Sequence, residues 1–414
     1  MLEKMKSAWR IPELRKKIIY TFGMLLLYRL LCCIPVPGVN IAAVSDAVKN
    51  FSVLDFMNMM TGGSFQNMTI MAMGITPYIN ASIILQLLTV AIPTLEKLAK
   101  EGPEGRKKIT EWTRYLTVAL AFIQAVGLVF AMRANSYGGI WYLVIGVSMA
   151  AGTSLAMWIG ERITENGIGN GISLLIMAGI VSNMFNWSRQ AVVGLIDGTV
   201  GIIAVLVVVL AFLVMIVAIT YVDMGERRIP VQYAKRMVGR KMYGGQSTHI
   251  PMKLNSTGVM PLIFGFAILQ FPATVFAFFP TSGINLWWQG FQSSVWYKVV
   301  LAVLIIAFTY FYTGITFNPA DISKNMQQNG GIIPGIRQGR ATTDYLARVS
   351  SRLTLFSALF LAVLATIPTI ITRLFGVSTP FAASSVLIAV SVGIETIRQI
   401  EAQMVMRHHK GFLG

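Results

Sequence analysis

Ten predominantly apolar stretches, each close to the length of one bilayer crossing, recur along the 414 residues. They lie near 18–34, 70–92, 113–132, 140–160, 171–187, 199–222, 257–279, 296–317, 353–372 and 381–400. A hydrocarbon layer about 30 Å thick takes about 20 helical residues per crossing. In lipid every backbone N–H and C=O needs a partner inside the protein, which favours helices. The runs therefore predict an all-α polytopic membrane protein with ten transmembrane helices. Composition agrees, because 12% of residues are charged where soluble domains carry about 25%. The short alternating segments of a membrane β-barrel do not occur.

The basic residues fix an orientation. Assigned to alternate loops, 28 of the 34 Lys and Arg fall on one side of the membrane and five on the other. Arg29 remains, near the external end of the first span, where its apolar stem lets the charged head reach the interface. Basic loops stay cytoplasmic. Both termini are thus expected in the cytoplasm, and an even number of spans is required. The basic N-terminal tail and its apolar run end in CCIPVPG without a small-x-small cleavage pattern, so the run is read as a retained helix. Cys32 and Cys33 are adjacent, cannot form a disulfide with each other, and are read as small apolar fillers.

Two spans resemble one another. GITPYINASIILQLL from Gly74 and GVMPLIFGFAILQFP from Gly258 agree at Gly74/Gly258, Pro77/Pro261, Ile79/Ile263, Ile84/Ile268, Leu85/Leu269 and Gln86/Gln270. The charge pattern makes the first run inward and the second outward. Similar helices in opposite orientation, one in each five-span half, imply an inverted repeat about an axis in the membrane plane. The halves are expected at 1–195 and 196–414, and both prolines are expected inside their helices.

Such a repeat suits a pathway, and the polar inventory limits what passes. Ion-coupled solute transporters place carboxylates or other polar ligands at mid-membrane. Here Glu161 and Glu395 lie at or near helix ends. No filter-like motif of a selective ion channel appears, and neither do nucleotide, zinc-protease or hydrolase motifs. GIGNG at Gly167 lacks the GxGxxG spacing and reads as a tight turn between spans. No cofactor, metal or catalytic residue is expected. The residues imply a pathway without an energy-converting site of its own, and a solute transporter on an inverted repeat remains one reading of it.

Two cytoplasmic loops, about 223–256 and 318–352, are long and basic. The first interleaves Tyr233 and Tyr243 with seven cations, and the second carries Arg337 on a PGIRQG turn. Loops of this length tend to be functional. A basic surface suits RNA phosphates or an acidic protein.

Five segments in order carry a family resemblance: ITPYINASIILQLL, EGPEGRKKITEWTRY, ITENGIGNGISLLIMAGIV, YAKRMVGRKMYGGQSTHIPMKLN and FNPADISKNMQQNGGIIPGIR. They resemble the SecY family, central subunits of the bacterial protein-conducting channel, over nearly the whole chain. The resemblance implies a pore closed by an aliphatic ring, here Ile75, Ile79, Ile176, Ile180, Ile263 and Ile388. It implies a plug at about 57–69, including Gly62, Gly63, Ser64, Phe65, Gln66, Asn67 and Met68. A lateral gate would draw on Pro77, Asn80, Gln86, Gln124, Pro261 and Gln270. Docking of the SecA ATPase or the ribosome would use Arg227, Arg228, Lys235, Arg236, Arg240, Lys241, Arg337 and Arg340. Implied partners are SecE and SecG-like small subunits, preprotein signal sequences and lipid, in a bacterial plasma membrane.

Overall fold

The computed structural model describes residues 9, 11–41, 44, 58, 61–131, 139–198, 201–233, 236–238, 241–243, 247–277, 283–375 and 383–410. Among these, ten long helices occupy the ten expected stretches. They are α1 (Pro12–Leu31), α2 (Thr76–Ala91), α4 (Pro103–Ala131), α5 (Gly139–Asn166), α6 (Gly171–Ile196), α7 (Ile202–Met224), α8 (Met260–Ala277), α10 (Val295–Thr316), α12 (Arg340–Phe375) and α13 (Ala383–Lys410). Shorter helices are α3 (Pro93–Lys100), α9 (Gly283–Ser293) and α11 (Pro319–Gln328). Six of the helices are long and apolar enough alone to cross a membrane, and α2 with α3, bent by 107° at their break, pass the same test only as a pair. The chain is a multi-pass helical membrane protein.

Residues 1–208, 267–293 and 371–414 form one compact unit, and 209–266 with 294–370 form a second. These are packing units, whereas the halves read from the sequence are a symmetry relation.

Within the first unit, α5 is the inner helix. Its apolar window is 56% buried although its mean hydropathy is only 1.7, whereas α7 has hydropathy 3.6 and 17% burial. A helix facing lipid must be apolar outward, but one facing protein can use small and weakly polar residues for close approach. Glycines on α5 do this: a Cβ at Gly146 would strike Val126 and Phe122 of α4, and one at Gly152 would strike the Ile70 carbonyl. Several hydroxyls inside the spans bond back to their own helices, as Thr117 does to the Thr113 carbonyl at 2.6 Å.

The second unit holds a surprise relative to the sequence reading. The two long basic loops are folded together. Strands β1 (Glu226–Tyr233), β4 (Ser247–Lys253) and β5 (Gly331–Ile332) form a sheet in the order β4-β1-β5. A separate ribbon pairs β2 (Arg236–Val238) with β3 (Lys241–Tyr243). Ile229 and Val231 point inward at period two and meet Met252, Met326, Ile333 and Leu346 in one small core. Pro230 pairs with His249 of β4 and lies beyond the two residues, Gln232 and Tyr233, that pair with β5, so β1 is an edge on that side at the proline. Asn318 caps α11 by accepting from the Ala320 amide at 3.1 Å, with Pro319 at the first helical position.

Candidate functional site

The prolines of the repeated motif do not sit inside their helices, as the sequence reading had it. Pro77 and Pro261 are each the second helical residue, where no intrahelical bond is lost and a fixed φ aids entry. Gly74 (φ +52) and Gly258 (φ +59) each stand two residues ahead of their helix in the left-handed region. The common pattern is thus a helix-entry device in which glycine turns the chain and proline starts the helix.

That device places three of the expected ring residues in one spot. Ile75, Ile79 and Ile176 line a single small cleft with Tyr28, Thr61, Gly74 and Thr76. Ile75 and Ile79 share a face at i, i+4, as do Ile176 and Ile180 on α6. Ile75, Ile176, Ile180 and Ile388 are buried. Ile388 is on α13, which packs along α6. Ile263 is half-buried on α8 in the second unit.

The segment 61–75 is a chain of turns leading into α2. Gly62 (φ +66) and Gly63 (φ +88) need left-handed backbone, and Met68 adopts φ 44. The Val36 amide donates to the Met68 carbonyl and the Ile70 amide to the Ile34 carbonyl, both at 2.9 Å. Thr61 Oγ1 accepts from the Phe65 amide at 3.2 Å, and Asn67 donates through its amide to Gly63 at 3.4 Å. Phe65 and Met68 are fully buried in a cluster with Ala125, Val129, Ile145 and Met149. Ser64 is buried and Gln66 is half-buried. The segment is thus fastened at its far end to the residues after α1 and packed through two apolar side chains.

The expected gate residues are placed less fully. Gln86 is exposed and donates to Ser82 of its own helix at 3.3 Å. Asn80 and Gln124 are half-buried. The side chain of Gln270 lies outside the described residues.

In the second unit Arg227, Arg228, Arg337 and Arg340 are exposed. Arg228 pairs with Glu226 at 2.6 Å, an exposed ion pair worth under about 1 kcal/mol. The Arg337 turn is built: Gly335 and Gly339 take φ +81 and +88, Thr342 Oγ1 donates to the Arg337 carbonyl at 2.8 Å, and Gln338 Nε2 donates to the Gly331 carbonyl at 3.1 Å. Lys235 and Arg240 lie outside the described residues. Arg236 and Lys241 are described as backbone only, in β2 and β3.

GIGNG is a tight turn, as read, and it is also clamped. Thr21 Oγ1 accepts from the Ile168 amide at 3.1 Å, Gln399 Oε1 from Gly169 at 2.9 Å, and Thr164 Oγ1 from Gly171 at 2.9 Å. The turn's donors are spent on α1, α5 and α13, which leaves no nest for a phosphate. Sequence reasoning missed this clamp, because Thr21 and Gln399 carry no motif. Nor does the sequence reveal the partner of Arg29, whose Nη2 donates at 3.1 Å to the Ala178 carbonyl of α6. The usable signal was that Arg29 is the one basic residue not assigned to a loop, and charges within spans are functional candidates by default.

The SecY family model matches residues 69–397. The chain belongs to the SecY family. It is 42% identical over 441 residues to the protein translocase subunit SecY of Streptomyces scabiei, and 41% identical over 427 residues to that of Aquifex aeolicus, each alignment spanning all of both chains. Among solved structures, its fold is similar to that of a protein-conducting channel, with a TM-score of 0.70 at 20% identity over 94% of this chain and 93% of the other. It is also similar to Sec61 of the canine ribosome–channel complex, with a TM-score of 0.66 at 19% identity over 94% and 93%. A SecY structure whose plug domain stabilises the closed state and maintains a membrane seal gives 0.68 at 21% identity over 94% and 92%. This SecY-family fold is therefore shared beyond recognisable sequence.

Proposed function

We propose that this chain is the channel subunit through which unfolded proteins cross a bacterial plasma membrane and hydrophobic segments pass sideways into lipid. The carrying observation is the convergence of Ile75, Ile79 and Ile176 on Thr61 at one cleft. Branched aliphatic side chains exclude water and ions by dewetting. They offer no fixed polar partner, so an extended chain of any sequence passes without being held. Ile180, Ile263 and Ile388 complete the ring in this reading, and the plug is at about 57–69. The two halves are inverted, 1–195 against 196–414, with both termini cytoplasmic.

α2 and α8 form the faces of the lateral gate. The helix-entry device shared by the two supports that pairing. Gln86, Gln124 and Gln270 would supply a weak seam, since hydrogen bonds between membrane helices average about 0.6 kcal/mol. Such a seam yields to a signal helix.

The channel has no motor, so energy comes from a partner. The folded basic platform is the docking face for SecA or a ribosome. The ribosome-bound canine Sec61 and yeast Ssh1 complexes of the same fold support the second. SecE and SecG-like subunits complete the assembly.

The test is reconstitution of the purified complex in sealed vesicles with SecA, ATP and an unfolded preprotein. Protease protection of the preprotein that depends on this chain is expected. Concentration of a small solute without preprotein transport would instead establish the transporter alternative.

A further inference from the structure

The 61–70 segment meets α1 and the residues that follow it at both ends. At the far end backbone bonds run to Ile34 and Val36, just after α1. At the near end Arg29 of α1 lies against it. Its guanidinium donates to the Ala178 carbonyl, between Ile176 and Ile180 of α6. The same group lies against Gly62: a Cβ there would stand 2.6 and 2.7 Å from Nη2 and Nη1, and 2.7 Å from the Gly179 carbonyl. Gly62 is thus held between a cation and the α6 backbone, in a conformation only glycine adopts easily.

We propose that Arg29 is a positioning residue, a latch that fixes the 61–70 segment against the helix carrying Ile176 and Ile180. The inference rests on the channel reading for its purpose, though not for its geometry. The half-buried guanidinium is held by a neutral backbone carbonyl of α6. A charge-assisted bond of this kind is strong enough to keep the guanidinium in place over Gly62. It is also exchangeable, because an entering extended chain offers a new carbonyl at every residue. Gly62 is small because the latch closes over it.

The experiment uses the full complex and reads amide hydrogen exchange across 61–70, with α5 as the folding control, alongside ion conductance in planar bilayers. Arg29→Met is expected to speed exchange in 61–70 by about tenfold or more and to raise resting conductance, with α5 unchanged. Arg29→Lys, which keeps one charged donor, is expected to fall between Met and wild type. Gly62→Ala attacks the same contact from the opposite side and is expected to loosen the segment even if Arg29→Met does not assemble. Unchanged exchange in both Arg29→Met and Gly62→Ala overturns the latch. Faster exchange with unchanged conductance keeps the latch and removes the sealing role of 61–70. A wild-type complex that fails to carry preprotein removes the channel reading while leaving the exchange result standing.

Discussion

Asn255 Nδ2 donates to Asp223 Oδ1 at 3.0 Å, while Asn255 Oδ1 accepts from Ser357 Oγ at 3.1 Å. Asp223 is the next-to-last residue of α7, where a carboxylate opposes the helix dipole. The buried amide offsets that cost and ties the end of α7, the exit of β4 and the middle of α12 to one node. The β platform stands directly on it, through the Leu254 amide bonded to the Gly225 carbonyl at 2.9 Å.

Asn255→Ala removes one member of this node and leaves Ser357, which is 2% exposed, without its acceptor. The expected loss is about 1–3 kcal/mol, the cost of unpaired buried polar groups. Faster amide exchange in β1 and β4, with α5 unaffected, is the measurement that checks it. Equal exchange in both variants of the chain would mean that the platform stands without the node.

Polar replacement tests the seal itself. Ile79→Asn combined with Ile263→Asn is expected to raise the resting ion conductance of the reconstituted complex, because hydrogen-bonding groups stabilise water where aliphatic surfaces repel it. Ile79 alone is expected to give a smaller rise. A double variant as tight as the wild type in single-channel recordings would remove these residues from the constriction.

How much of this was legible in the sequence depends on which force acted at each place. The ten helices were, because apolar length is a direct readout of the lipid phase. The relative burial of α5 and α7 was available in principle, since the more apolar helix is the more exposed one. Pro77 and Pro261 were recognised as a repeated pair but assigned to helix interiors. Periodicity does not resolve the first turn, and the positive φ of Gly74 and Gly258 that ends the ambiguity is a backbone property. The β platform was missed for a different reason. Ile229, Val231, Met252 and Ile333 are scattered over two loops about 80 residues apart, and each looks like an isolated apolar residue until β5 joins β1. Arg29 was noticed as a lone charge, but which way its long side chain points is decided by a carbonyl on α6.

Charge reversal probes the platform as a docking face. Arg337 is exposed on a turn held by Thr342 and Gln338, so Arg337→Glu changes the surface without disturbing the fold. Preprotein transport driven by SecA is expected to fall at least about tenfold, the scale of truncating a contact worth about 1.4 kcal/mol or more at an interface. Membrane insertion and subunit assembly are expected to stay normal. Wild-type transport rates in vesicles loaded with the purified variant would show that the partner docks elsewhere.

The gate is best tested by locking it. Cysteines introduced at Gln86 on α2 and Gln270 on α8, in a chain whose native Cys32 and Cys33 are replaced by alanine, are expected to bridge under mild oxidation or with a short bifunctional reagent. Cys33 is exposed and would otherwise compete, whereas Cys32 is buried at the C-terminal end of α1. If α2 and α8 must part for a signal helix to reach lipid, the bridged complex loses preprotein transport and reduction restores it. Ion conductance of the bridged form is expected to stay at the resting level, since the proposed isoleucine seal is untouched. The decisive comparison is transport before and after reduction in the same vesicles: full transport through the bridged complex would mean that the two helices do not separate, and the shared glycine–proline entry would then be a folding device alone.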